Sequence, residues 1–219
     1  MGHVIAIDGP AGAGKSTIAR RLAERLGYTF IDSGAMYRAV ALWALRQNTA
    51  LDDAYRLEQL AHAAEIELLP LRSVLLNNED VSDAIRAAEV SVAASRVAAV
   101  GGVRAALVAK QKQMADYANV VMEGRDIGTV VFPDARVKIF LDADPMERVR
   151  RRAGEQPHVP PAELAAQIAE RDERDRHRAQ SPLTQAPDAI YLDSTGLTPE
   201  QVEEAILKVV RARISNGKE

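Results

Sequence analysis

The chain has 219 residues, 47% apolar and 27% charged, which suffices for one domain with a substantial core. Its 28 basic and 31 acidic residues give a formal net charge of −3, so there is no global basic footprint for nucleic acid. Cysteine is absent, which excludes disulfides and thiolate chemistry, and the four histidines are scattered without metal-ligand spacing.

In chain order, "HVIAID" (3–8) reads as a buried strand, followed by a Gly-rich turn and a helix. Ile18, Leu22 and Leu26 give that helix its apolar stripe, and Gly27 marks its end. "YTFI" (28–31) is a second short strand. Ser33 is the expected cap of the next helix, with Met36, Val40 and Trp43 on its apolar side. A helical patch near 53–64 precedes "IELLPLRSVLLNNEDV", which reads as two or three short strands joined by turns. Helical patterns follow at about 83–98 and 101–116.

Three further strands are expected at "NVVME" (119–123), "VKIFLD" (137–142) and "AIYLD" (189–193). "DPME" (144–147) is a helix start, with Asp144 as cap, Pro145 in the first position and Glu147 as the returning acid. "TPEQ" (198–201) repeats the pattern for the last helix. Between them, "AGEQPHVPPAE" (153–163) holds a glycine and three prolines and cannot be one continuous helix. The alternation predicts an α/β fold with a parallel five-stranded sheet covered by helices. No apolar run approaches membrane-spanning length, and the N-terminus lacks signal-peptide character. The expectation is a cytoplasmic monomer without nucleic-acid or membrane partners.

"GPAGAGKS" (Gly9, Pro10, Ala11, Gly12, Ala13, Gly14, Lys15, Ser16), followed by Thr17, matches the Walker A pattern between a strand and a helix. The glycines let successive N–H groups face phosphate oxygens at a helix N-terminus. Lys15 can reach the β- and γ-phosphates, and the Ser16 hydroxyl can ligate Mg2+. Two classes stay open at this point: a kinase, and an NTPase switch or motor. "DSTG" (193–196) matches the Asp-x-x-Gly of a switch, but no Asn-Lys-x-Asp follows, so a strand end and turn is the better reading.

Arginines supply the next clue. Transfer between two phosphates gathers negative charge and needs cations beyond lysine and magnesium. Arg38 lies in the second helix, and Arg125 follows the strand ending at 123, a place where open α/β sheets bind ligands. "ERDERDRHR" (170–178) sets Arg171, Asp175 and Arg178 on one helical face, with Arg174 at its edge. Alone, such a run is a solvated face; beside a P-loop it fits a charge-balanced phosphoryl site.

The blocks "IDGPAGAGKST" (7–17), "DSGAMYRAVA" (32–41), "EDVSDAIR" (79–86), "EGRDIGTVVFPDARVKIFLDA" (123–143), "ERDERDRHR" (170–178) and "LDST" (192–195) together resemble the bacterial cytidylate kinase (CMP kinase) family, among the P-loop nucleoside monophosphate kinases. The resemblance spans nearly the whole chain. It implies one domain over 1–219, with a core at 1–64 and 117–219. It also implies a nucleoside-monophosphate-binding and insertion region at about 33–116, whose β insertion lies near 65–82, and a short lid at about 153–168. It implies ATP with Mg2+ as donor and CMP or dCMP as acceptor, within pyrimidine nucleotide metabolism. Ser33, Arg38 and Arg125 would hold the acceptor phosphate. Arg171 would lie between acceptor and donor phosphates and, with Lys15 and Arg125, carry catalysis. Asp175 would take a sugar hydroxyl; Ser95, Arg104, Asp126 and Arg178 would read the cytosine. Arg151 would pack on the adenine. Glu173 and His177 would form the outward, solvated half of their helix. The alternatives are another acceptor, such as UMP, and a non-kinase nucleotide-binding regulator.

Overall fold

The computed structural model describes residues 2–69 and 73–215. It divides into two compact units: Met1–Phe30 with Ala115–Glu219, and Ile31–Met114.

The first unit is built on the parallel sheet. Its strands are β1 (Val4–Asp8), β2 (Thr29–Asp32), β6 (Val120–Gly124), β7 (Val137–Asp142) and β8 (Ile190–Asp193), in the order β2-β6-β1-β7-β8. One boundary between the units falls within β2, after Phe30, and the other between Met114 and Ala115. Every residue of β1 and β6 is buried, which explains why these strands read as continuous runs rather than alternating patterns. The register pairs Ile7 with Glu123 and Asp8 with Gly124, so a carboxylate from each strand reaches the end where the Gly-rich turn begins. Helix α1 (Lys15–Leu26) buries Ile18 and Leu22 against the sheet and stops at Gly27, as expected. Gly27 adopts a left-handed φ of 67° and returns its N–H to Ala23 and Glu24.

Two helices follow β7. α6 (Pro145–Glu155) starts on the Asp144 cap, whose side chain accepts from the Met146 amide. Glu147 departs from the expected capping role: its carboxylate is occupied by Arg150 and Arg151 one turn on. A short Pro-containing turn leads to α7 (Pro161–His177), so the region from 153 to 168 is a helix end, a turn and a helix start. Leu164 and Ile168 pack there against Val149. The last helix, α8 (Pro199–Ser215), has the expected reciprocal cap. The Gln201 amide donates to Thr198 Oγ1 at 3.3 Å, and the Thr198 amide donates to Gln201 Oε1 at 2.9 Å. "DSTG" is the end of β8 and a turn, with Gly196 at a φ of 69°.

The second unit holds α2 (Ser33–Arg46), α3 (Ala54–Ala63), α4 (Ala88–Val97) and α5 (Gly101–Asp116). The antiparallel strands β3 (Ile66–Leu68), β4 (Val74–Leu76) and β5 (Glu79–Asp80) form the small insertion, of which residues 70–72 lie outside the described residues. The core is built from Met36, Val40, Leu57, Ile85, Val97 and Leu107. Two expectations are corrected. The cap of α2 is Asp32, whose Oδ1 accepts from the Ala35 amide at 2.9 Å; Ser33 is the first helical residue. The helical run at 83–98 is broken at Ala87, whose ψ of 144° separates a 3-10 turn (Ala84–Arg86) from α4. Among the described residues no single helix is long and apolar enough to cross a membrane.

Candidate active site

The turn after β1 is shaped by its glycines. Gly9 has a φ of 147°, and a Cβ there would stand 1.9 Å from the Leu141 carbonyl oxygen of β7, so only glycine passes. Gly14, at a φ of 89°, is the residue from which α1 begins. Lys15 is 5% exposed, and its Nζ donates to the Pro10 carbonyl at 2.6 Å. Burial, reinforced by Arg125 and Arg171, pulls the Lys15 ammonium down to about 7, while Glu123 and Asp175 oppose the shift. The Ser16 hydroxyl donates to Glu123 at the end of β6.

Beyond β6 the chain enters a π-helical turn (Ile127–Val131), an element without a sequence signature. Asp8, at the end of β1, accepts from the Ile127 and Gly128 amides, each at 2.8 Å, and so anchors this turn. Burial raises its carboxyl to about 6, against those two amide donors. Arg125 and Asp126 stand directly before the turn. Arg125 Nε donates to Asp175 Oδ2 at 2.8 Å, and Arg171 Nε lies 4.0 Å from the same oxygen. Burial disfavours the Asp175 charge, but Arg125 and Arg171 hold its carboxyl below the ordinary value. Arg178 Nη2 lies 3.7 Å from Asp126 Oδ1, while its Nε donates to the Ser181 carbonyl.

Lys15, Arg125, Asp126, Arg171, Asp175 and Arg178 are thus gathered within the first unit. α7 divides as the sequence suggests: Asp175 is buried, whereas Glu173 and His177 are exposed and interact with each other. One detail differs: Arg178 is not a further helical position. The helix closes with the Arg178 amide donating to the Arg174 carbonyl, and Arg178 itself is extended, with a ψ of 139°.

Arg151 lies against the Gly-rich turn. Its Nη1 donates to the Ala13 carbonyl at 3.2 Å and to Ser194 Oγ at 3.0 Å, and its Nε to Glu147. The turn's hydrogen-bonding partners therefore come from α6 and from the end of β8 as well as from α1.

Within the second unit, Ser33 is buried at the start of α2, and Arg38 Nη2 pairs with Asp32 Oδ2 at 2.8 Å. The Arg104 guanidinium lies over the Tyr37 ring, 5.6 Å from its centroid, and donates to the Ala98 carbonyl at 3.4 Å. The Ser95 hydroxyl is buried on α4 without a hydrogen-bond partner. A buried orphan hydroxyl is costly and suits a position that waits for a ligand group.

Four polar residues of this region escaped the sequence reading. Glu123 and Asp8 end strands beside the P-loop, and the preference for ligand groups at strand ends could have flagged them. Arg148 and Asp172 form a buried pair across 24 intervening sequence steps, which leaves no local signal.

The cytidylate kinase family model matches residues 5–212. The chain is 61% identical to a cytidylate kinase of Solibacter usitatus (strain Ellin6076), covering 99% of this chain and 95% of that protein. It is 48% identical to one of Caldanaerobacter subterraneus subsp. tengcongensis, covering 94% of each. A solved gluconokinase from Sinorhizobium meliloti 1021 is similar in fold alone, with 15% identity, a TM-score of 0.51, and coverage of 98% of this chain and 94% of that one. The P-loop beside a cation-rich turn, and a family match over nearly the full length, lead to one conclusion: the chain belongs to the cytidylate kinase family.

Proposed function

We propose that the chain transfers the γ-phosphoryl group of ATP to CMP and dCMP, giving ADP and the corresponding diphosphate. The observation that carries this reading is the convergence of Arg125 and Arg171 on Asp175, within the electrostatic reach of Lys15. Such a cluster has more cations than one nucleotide triphosphate needs, as transfer onto a second phosphate requires.

Within the first unit, the Gly9–Thr17 turn would hold the donor phosphates through its backbone amides, and Lys15 would follow the migrating charge. Arg125 would hold the acceptor phosphate. Arg171 would stabilise charge in the transition state, Asp175 would take a sugar hydroxyl, and Asp126 with Arg178 would read the base. Arg151 would lie under the adenine. Within the second unit, Ser33 and Arg38 would serve the acceptor phosphate, and Ser95 and Arg104 the base. The Ser16 hydroxyl, already bonded to the buried Glu123 carboxylate, fits Mg2+. That ion would neutralise phosphate charge. No general base is required, because the attacking phosphate oxygen is already anionic at neutral pH. Closure of residues 153–168 would exclude water as a competing acceptor.

A panel of nucleoside monophosphates with MgATP, followed by ADP release and product identification, tests the reading. CMP and dCMP are expected to lead; turnover with another acceptor alone would overturn the assignment.

A further inference from the structure

Ala11, inside the Gly-rich turn, is held by both of its backbone groups. Its amide donates to Asp172 Oδ1 in a long hydrogen bond of 3.4 Å, and its carbonyl accepts from Arg148 Nη1 at 3.1 Å. The two side chains also pair directly, with Arg148 Nη1 2.5 Å from Asp172 Oδ2, and each side chain is only 6% exposed. Arg148 Nε additionally donates to the Ala143 carbonyl at 3.2 Å, just before α6. A Cβ built at Gly12 would stand 3.1 Å from Arg148 Cβ, so the next residue of the turn is also seated on this arginine.

Asp172 sits on α7 immediately after Arg171 and one turn before Asp175; Arg148 sits on α6 one turn before Arg151. A buried ion pair is weak evidence for stability by itself. Here it has a third partner, the backbone of the phosphate-binding turn. It also poses an electrostatic problem, because a carboxylate facing an amide of that turn would repel phosphate unless a cation neutralised it.

We propose that the Arg148–Asp172 pair is a positioning device for the donor site: Asp172 holds the Ala11 amide, and Arg148 holds the Ala11 carbonyl while cancelling the Asp172 charge. The turn keeps its curl before nucleotide arrives, and it is tied to the two helices that carry Arg151, Arg171 and Asp175. The pair touches no reacting atom. This role rests on the reading of Gly9–Thr17 as the ATP site.

The test compares Arg148→Gln, Asp172→Asn and the double variant in the full chain. Calorimetric affinities are measured separately for a non-hydrolysable ATP analogue and for CMP. Arg148→Gln leaves the Asp172 charge uncompensated and is expected to weaken analogue binding by about tenfold, with CMP affinity within about twofold. Adding Asp172→Asn is expected to recover most of the lost analogue affinity, although it removes a second side-chain charge. A pair that merely stabilises the fold would shift both ligands alike, and a double variant no better than the single one would show that Arg148 does not act by cancelling the Asp172 charge; either result overturns the proposal.

If Arg148→Gln does not fold, Asp172→Asn carries the test through hydrogen exchange of the nucleotide-free protein. Faster exchange in the peptide covering residues 9–17, with α8 unchanged, is expected; equal exchange in that peptide overturns the role. Wild type that fails to bind the analogue would instead overturn the ATP-site reading itself.

Discussion

The Lys15 ammonium is folded back onto its own loop, donating to the Pro10 carbonyl at 2.6 Å. Its desolvation, with Arg125 and Arg171 nearby, lowers it to about 7. A lysine with a depressed value binds fewer protons when folded than when unfolded between about 7 and its ordinary 10.5. Its effect on stability is therefore unfavourable below about 7 and fades as the pH rises across that window. Donor phosphates would pull the value back up. ATP-analogue binding at pH 8 is thus expected to take up roughly one proton. Titration in buffers of different ionisation enthalpy reads the number directly, and Lys15→Met is expected to abolish the uptake. Equal uptake in wild type and variant would show that another group is responsible. The same variant is expected to fold and to transfer phosphoryl groups at least about a hundredfold more slowly.

Glu123 turns the Ser16 hydroxyl by accepting its hydrogen bond. Glu123→Gln keeps the size of the side chain but removes the charge that would favour a cation beside Ser16. It is expected to raise the Mg2+ concentration for half-maximal rate by about tenfold, with the CMP KM little changed. Mn2+ binding in the presence of an ATP analogue, followed by electron paramagnetic resonance, gives a readout independent of turnover. Unaltered metal affinity would confine Glu123 to a structural role.

The two halves of α7 give a paired comparison. Arg171 approaches Asp175 and acts on Lys15, whereas Glu173 is exposed beside His177. Arg171→Ala is expected to lower kcat by on the order of a thousandfold, because in the proposed role its charge would count most when the phosphoryl group is in flight. Glu173→Ala should change kcat by less than about twofold, as an exposed pair contributes little. Equally small effects would return the entire 170–178 stretch to a solvated helix face.

The legible parts of the fold are those fixed by local chemistry. β1 announced itself as an apolar run because it is buried on both sides, and the Gly9 turn did so because a Cβ would collide with the Leu141 carbonyl. The Thr198–Gln201 cap follows from four consecutive residues. The parts misread or missed depended on competition or distance. Asp32 displaced Ser33 as cap because its carboxylate reaches the Ala35 amide while also pairing with Arg38. The π-helical turn is held by Asp8, remote in sequence from Ile127 and Gly128. The Arg148–Asp172 pair joins two helices whose charge patterns look ordinary when each is read alone. At the site, Asp175 and Asp126 were readable because they stand in motifs beside Arg171 and Arg125, whereas Asp8, Glu123 and Asp172 were not, because their partners lie on other elements.

Within the proposed base-reading set, Asp126 is the carboxylate expected to tell cytosine from uracil. Asp126 is 5% exposed, stands directly before the turn anchored by Asp8, and has Arg178 3.7 Å from its Oδ1. Cytosine offers an exocyclic amine, a donor, where uracil offers a carbonyl. A carboxylate accepts from the amine but has no proton for the uracil oxygen. In a desolvated site that mismatch leaves polar groups unpaired, which supports strong discrimination. Asp126→Asn supplies a donor as well as an acceptor. It is expected to lower kcat/KM for CMP and to narrow the CMP-over-UMP ratio by about tenfold or more, at saturating MgATP. Arg178 bears on the interpretation, because losing the Asp126 charge also removes one of the charges facing that guanidinium. Arg178→Lys should therefore be measured alongside, and a ratio that narrows only in Asp126→Asn assigns selectivity to the carboxylate. An unchanged ratio in Asp126→Asn would remove Asp126 from base reading, and a wild type that prefers UMP would overturn the acceptor itself.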